Sequence, residues 1–166
     1  MIESHHLIIA PLGDDHDRAG FYCGTTSLDN YLKKQARQDI KRRISRVFVA
    51  AQTAVPRKIL GYYTLSSLSI ELDLLPDAHA RKLPRHPVPA ALIGRLAVAQ
   101  DSRGSGVGRM LLTDAVKRAL SVSNEIAIYA MVVDAIDEQA EGFYQRFGFV
   151  PLSAKTRRLF LPLKSF

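Results

Sequence analysis

A chain of 166 residues supplies one ordinary hydrophobic core and is too short for two full domains. With 47% apolar and 23% charged residues it has a globular rather than a disordered composition, and no run approaches the ~20 apolar residues of a membrane span. A formal charge of +7, from 23 Lys and Arg against 16 Asp and Glu, points to polyanionic partners, with a merely solubilising surplus as the plainer reading. The single cysteine, Cys23, excludes an internal disulfide and fits a reducing compartment. It supplies no metal site, and the five histidines are too scattered to do so, so no metal is expected. The first six residues carry no basic segment followed by an apolar run, so no signal peptide and a cytoplasmic location are expected.

His6–Ala10 is a short apolar run ended by Pro11 and Gly13, which reads as a first strand. Ser27 opens a helix over Leu28 to about Arg43, with Thr25 and Thr26 as neighbouring cap candidates and Asp29 in the first turn. Its apolar positions Leu28, Tyr31, Leu32, Ala36 and Ile40 recur three and four apart, which makes one buried stripe. From Ser27 to Arg46 there are seven basic and two acidic residues, so this segment carries +5 of the total. Arg46–Ala51 and Ile59–Leu65 read as an antiparallel strand pair, the second extending toward Ile70. Residues 76–89 hold four prolines and read as a loop with at most one helical turn. They also hold Arg81, Lys82, Arg85, His79 and His86, a second basic cluster. Further on, Ala90–Ala99 is predicted as a strand, Gly106–Leu120 as a helix and Ile126–Val133 as a strand. Glu138–Phe147 then reads as a short helix and Arg158–Leu163 as the last strand. Nothing in the pattern marks a repeat or a linker, so residues 1–166 are expected to form one domain.

The stretch from Leu96 to Arg109 carries the chemistry. An apolar strand runs into Arg103-Gly104-Ser105-Gly106-Val107-Gly108, and a helix follows at once. Glycines let backbone N–H groups approach an anion, and the helix start adds unpaired donors and the positive end of its dipole. The result suits a pyrophosphate; a helix start that needed flexible residues is the plainer alternative. A Walker loop would place Gly-Lys-Ser/Thr at the helix start, and here Arg109-Met110 follows Gly108. A dinucleotide fingerprint would space its glycines differently and sit at the first strand.

These residues match the Arg/Gln-x-x-Gly-x-Gly/Ala signature, and the chain resembles the Gcn5-related N-acetyltransferases, the GNAT superfamily. Gly142-Phe143-Tyr144-Gln145-Arg146-Phe147-Gly148-Phe149 is similar to a later motif of that family. The resemblance runs from the first strand to Leu163. It implies an α/β (α+β) fold, a mixed, mostly antiparallel sheet of about six to seven strands flanked by about four helices. More closely, the chain resembles the GNAT toxins of bacterial toxin–antitoxin pairs, which acetylate aminoacyl-tRNA. The resembling pieces are Cys23-Gly24 to Leu32 leading into the basic helix, Ile93–Val98, Phe143-Tyr144 and Arg158–Leu163.

The resemblance implies acetyl-CoA as co-substrate, with Leu96, Ala97 and Val98 holding its pantetheine arm and thioester. Arg103, Gly104, Ser105, Gly106, Val107, Gly108 and Arg109 would hold the pyrophosphate. Tyr144 would protonate the departing thiolate. An α-amine of pKa ~7.7–8.0 is far more available as a free base at pH 7 than a lysine of pKa ~10.4. The strand from Ile93 to Gln100 offers no Asp, Glu or His as a base, which favours an aminoacyl or N-terminal acceptor; Asp134 and Glu138 remain candidates elsewhere. Lys33, Lys34, Arg37, Lys41, Arg42, Arg43 and Arg95 are then expected on tRNA phosphates, with Arg81, Lys82 and Arg85 extending the surface. Cys23 reads as a small buried hydrophobe. The toxin resemblance further implies a ribbon-helix-helix antitoxin, contact with DNA only through it, a homodimer, and no membrane partner. An acetyltransferase of protein N-termini or small amines, and a non-catalytic RNA- or CoA-binding module, are the competing readings.

Overall fold

The computed structural model describes residues 6–71, 75, 87–152 and 156–165. Its strands are β1 (Leu7–Pro11), β2 (Arg46–Gln52), β3 (Gly61–Ile70), β4 (Val88–Val98), β5 (Ala130–Asp134), β6 (Val150–Pro151) and β7 (Arg158–Pro162). Its α-helical segments are α1 (Thr26–Asn30), α2 (Ala36–Lys41), α3 (Val107–Val122) and α4 (Glu138–Phe147), with a π turn, Tyr31–Gln35, joining α1 to α2. The strands form a seven-stranded sheet in the order β1-β2-β3-β4-β5-β7-β6. β1, β2 and β3 pair antiparallel, β4 runs parallel to β5, and β7 pairs antiparallel with both β5 and β6. This is the mixed, mostly antiparallel sheet expected, and the α1–π–α2 run, α3 and α4 are its helices among the described residues.

Two compact units emerge, Met1–Ser66 with Arg95–Ala115, and Ser67–Gly94 with Val116–Phe166. In the first, Phe21, Leu28, Tyr31, Leu32, Ala36, Val47, Val49, Ile59, Tyr62 and Ala97 share one core. The stripe predicted for the first helix therefore is its buried side, with Ile40 packed at the margin. In the second, Ile70, Val88, Ala90, Ala130, Val132 and Phe160 form the core. Both are built from the alternating faces of β-branched and aromatic strands.

Several boundaries depart from the sequence reading for identifiable reasons. The first helix is capped at Thr25, two residues before Ser27, because the Thr25 carbonyl accepts from the N–H groups of Leu28 and Asp29 at 3.1 and 3.0 Å. No side chain caps it; Asp29 instead turns inward and accepts the Cys23 N–H at 2.8 Å. The π turn interrupts what reads as a regular helix, which ends at Lys41 with Arg42 as its C-cap and Arg43 at φ 60. β4 begins at Val88 and includes Pro89, whose carbonyl accepts from Tyr129 N–H at 2.9 Å. β5 starts at Ala130 rather than Ile126, because the Ile126 N–H is spent on the Val122 carbonyl and the side chain is exposed. The two-residue β6 has too little sequence to read as a strand. Arg81, Lys82, Arg85, His79 and His86 lie outside the described residues, as does most of the proline-rich loop.

Candidate active site

In the first unit, β4 hands over to a short 3-10 turn, Gln100–Ser102, then to the glycine loop and α3. The exit is pinned on its main chain: Ala99 N–H donates to Leu60 O at 2.8 Å and Gln100 N–H to Tyr22 O at 2.9 Å. Gly104 and Gly106 have φ of 77 and 90, the left-handed region that side chains avoid. Gly108 lies inside α3 and needs no such freedom. The first bond of the helix start is Met110 N–H to Gly106 O, 3.0 Å, so the amides of Val107, Gly108 and Arg109 precede the ladder. That is a cluster of main-chain donors at the positive end of a 16-residue helix. Ser105 turns its hydroxyl back onto the Ser102 carbonyl, which braces the loop from within.

Arg103, grouped by sequence with the anion-binding residues, donates from Nη2 to the Cys23 carbonyl at 2.7 Å, which ties the loop to that residue. With Asp29 accepting the Cys23 N–H, both polar groups of that buried residue's main chain are held. Burial pushes the Cys23 thiol above its usual range, as suits a packed hydrophobe rather than a nucleophile. Gly61, on β3, carries no signal in the sequence that would mark it out. A Cβ there would lie 2.8 Å from the Ala97 carbonyl oxygen, 2.8 Å from Leu111 Cδ1 and 3.2 Å from Val107 Cγ1. Its bare backbone is what lets the first turns of α3 settle against the strands.

The basic segment belongs to this same unit. Lys33, Lys34, Arg37, Lys41, Arg42, Arg43 and Arg46 are all exposed, whereas Asp29 and Asp39 are buried. The charges on the solvent side of this segment are therefore all cationic, more one-sided than its net +5 suggests. Arg37 pairs with Asp14 at 3.2 Å, both side chains being exposed. Asp39 is satisfied by the Tyr31 hydroxyl at 2.8 Å and the Gln35 amide at 2.9 Å. The π turn brings Tyr31 and Gln35 onto one carboxylate, an arrangement that apolar spacing does not reveal, since it marks Tyr31 only as core. Burial, then the bond to Asp39, push the Tyr31 phenol up to about 12. Over the Tyr31 ring lies the Arg95 guanidinium, 3.7 Å from its centroid.

In the second unit, α4 is capped by Asp137, whose carboxylate accepts Ala140 N–H at 2.8 Å. It ends at Gly148, φ 116, with Phe149 N–H returning to the Tyr144 carbonyl at 3.1 Å. Tyr144 is 4% exposed, its ring packed edge-on against Phe143 and Phe149. Its hydroxyl makes no hydrogen bond among the described residues, yet no fully buried side-chain oxygen there lacks a partner. Burial, assisted by the Asp134 carboxylate, holds the phenol well above its usual range and so protonated. Asp134 itself is clamped by Arg158 through two bonds of 2.7 and 3.0 Å, which counts against it as a free base. Glu138 is exposed in the first turn of α4. Among the described residues no His, Cys, Asp and Glu cluster is arranged to hold a metal, and no helix is long and apolar enough to cross a membrane.

A strand feeding a glycine loop and helix, with a tyrosine-bearing helix further along the chain, defines an acetyltransferase of the GNAT type. The model of the Acetyltransferase (GNAT) domain matches residues 43–151, and the chain belongs to that family. It is 35% identical over 165 residues to the "Probable toxin TacT" of Sinorhizobium fredii, covering 94% of this chain and 91% of that one. It is also 35% identical over 138 residues to the "tRNA-acetylating toxin" of Mycobacterium tuberculosis, covering 83% and 81%. Among solved structures, AtaT complexed with acetyl-methionyl-tRNAfMet superposes with a TM-score of 0.88 at 31% identity over 96% of both chains. A tyrosine-to-phenylalanine mutant of AtaT, bound to the C-terminus of the antitoxin AtaR and acetyl-CoA, gives 0.82 at 29% identity over 96% of this chain and 95% of that one.

Proposed function

We propose that this protein is the toxin of a toxin–antitoxin pair and acetylates the α-amino group of aminoacyl-tRNA, which blocks that tRNA in translation. The observation that carries the reading is the basic segment with both of its carboxylates buried, so that the charges it exposes are all cationic and lie in the same compact unit as the glycine loop. Such a surface binds a polyphosphate chain without regard to sequence. A small cationic amine would be repelled by it. The relatives named for toxin activity and tRNA acetylation support the same choice.

Acetyl-CoA fits as co-substrate. The free amides of Val107, Gly108 and Arg109 and the turn at Gly104–Gly106 suit its pyrophosphate, and Arg103, with Nη2 on the Cys23 carbonyl, would offer its remaining N–H groups to the same phosphates. Leu96, Ala97 and Val98 would hold the pantetheine arm, and a main-chain N–H there would stabilise the oxyanion. The neutral amine attacks the thioester carbonyl, an N–C bond forms, the C–S bond breaks, the nitrogen loses its surplus proton to solvent, and the thiolate takes a proton. Tyr144 supplies that proton in this reading: its hydroxyl makes no hydrogen bond among the described residues and is held protonated. Lys33, Lys34, Lys41, Arg42 and Arg43 would contact phosphates, with Arg37 released from Asp14 to join them. The whole chain would work as one cytoplasmic catalytic domain, as a homodimer, neutralised by a ribbon-helix-helix antitoxin through which alone it would reach DNA.

The test is labelled acetyl-CoA with total tRNA, charged in one tube and deacylated in the other. Label entering only the charged pool, and lost with Tyr144→Phe, is the expected result. Label in neither tube would overturn the reading and direct attention to protein N-termini and small amines.

A further inference from the structure

Arg95 differs from the cations of the basic helix. It is half-buried, projects from β4 one residue before Leu96, and its backbone N–H is tied to Thr64 Oγ1 at 3.1 Å. Its guanidinium lies on the Tyr31 ring, and Tyr31 in turn stacks on Tyr62, ring centroids 6.3 Å apart and planes 14° from parallel. The column is fixed at every level. Tyr31 is held by Asp39 through its hydroxyl, and Tyr62 donates to the Leu28 carbonyl at 2.6 Å. Asp39, the carboxylate that anchors this column, has one oxygen taken by Tyr31 and the other by Gln35. Among the described residues no oxygen accepts a hydrogen bond from the Arg95 guanidinium. A planar cation with one face on an aromatic ring and its N–H edge unclaimed is prepared for an oxyanion arriving edge-on, with two parallel bonds.

We propose that Arg95, presented by the Tyr31–Tyr62 column, grips a phosphodiester at the 3′ end of the acceptor strand and so sets the depth to which the aminoacyl end enters. The inference rests on the aminoacyl-tRNA reading above. A phosphate rather than the aminoacyl group is favoured because the guanidinium is a fixed fork. The lysines of the helix, by contrast, are mobile point charges on a solvated face. The location agrees: Arg95 and Ala97 are separated by about 7 Å along an extended strand. Only the phosphates of the last nucleotides come that close to an amine placed beside Leu96–Val98. Arg95 is thus a positioning residue for the acceptor end, and the helix cations supply the remaining, register-free attraction.

The experiment compares wild type with Arg95→Lys and Arg95→Ala on three acceptors: charged tRNA, a 3′-aminoacyl-adenosine 5′-phosphate, and the aminoacyl-adenosine without phosphate. kcat and KM are read separately. A bidentate, charge-assisted contact of about 1.5–3 kcal/mol corresponds to roughly a 10- to 150-fold loss in kcat/KM. That loss is expected on both phosphate-bearing acceptors, with Arg95→Lys impaired nearly as much as Arg95→Ala. On the phosphate-free acceptor the loss is expected to be smaller by about fivefold or more, and the KM for acetyl-CoA to be unchanged. Equal losses on all three acceptors would overturn the inference by placing Arg95 on the aminoacyl group or in the strand's own support. No loss, or full rescue by Arg95→Lys, would also overturn it. A wild-type protein inert toward charged tRNA would overturn the functional reading and this inference together, which separates the two failures.

Discussion

Replacing Gly61 by alanine tests how the glycine loop is held in place. The added methyl would lie 2.8 Å from the Ala97 carbonyl oxygen, 2.8 Å from Leu111 Cδ1 and 3.2 Å from Val107 Cγ1. Ordinary carbon contacts begin at ~3.5 Å, so β3 would have to move by several tenths of an ångström away from β4 and α3. Relief by rotating a side chain is closed off: Leu111 and Val107 are fully buried, and the third neighbour is backbone. Overpacking of this kind destabilises by about 1–3 kcal/mol. For a chain of this size each kcal/mol moves the midpoint by roughly 2–4 °C, so Gly61→Ala is expected to unfold about 2–12 °C below wild type. Because the displaced atoms belong to the strand end and the first turns of α3, acetyl-CoA affinity, read by calorimetry, should fall as well. Gly104→Ala is the control. Nothing lies within 4 Å of a Cβ there, and only the φ of 77 opposes it, so it should lower stability by about 1–2 kcal/mol. A Gly61→Ala protein that melts with wild type and binds acetyl-CoA as tightly would refute the reasoning.

Tyr144→Phe keeps the ring packing and removes a hydroxyl that makes no hydrogen bond among the described residues. Stability in urea should therefore stay within about 0.5 kcal/mol, while kcat falls by roughly 10²- to 10⁴-fold; a destabilised but active variant would contradict the assignment. The pH profile follows from the raised phenol: a proton donor whose pKa lies above ~10 stays protonated as pH rises, while the attacking α-amine must lose its proton. kcat/KM is expected to climb through pH ~8 and stay level to at least pH ~10, and a descending limb below pH ~9 would rule out Tyr144 as the acid. Asp39→Ala strands the buried Tyr31 hydroxyl and the Gln35 amide, and should lower the unfolding free energy by about 1–3 kcal/mol in denaturant titration. Charge reversal at Lys33, Lys34 and Lys41 should raise the KM for charged tRNA and flatten its salt dependence by about 0.7–0.9 for each phosphate no longer neutralised; an unaltered salt slope would show that the RNA lies elsewhere.

Whatever is written in a local window was legible from the residues alone. Runs such as Val47–Ala51 and Met131–Val133 declare strands through branched and aromatic side chains. Gly104-Ser105-Gly106 after an apolar strand declares a turn that opens a helix. Glu138–Phe147 is legible to the residue because its cap Asp137 and its stop Gly148 are both local signals. Features that depend on partners far apart in the chain were settled by packing. Asp29 and Asp39 look like surface charges in a helical pattern and are buried, because the N–H of Cys23 and the hydroxyl of Tyr31 claim them. The bond from Arg103 to the Cys23 carbonyl joins residues eighty apart in the chain. Gly61 looks like an ordinary strand glycine until α3 is laid upon it. The physical reason is common to all of these. Periodicity reports which face of an element is buried, whereas hydrogen-bond partners and steric room are properties of the surface it is buried against, and that surface exists only once the chain has folded.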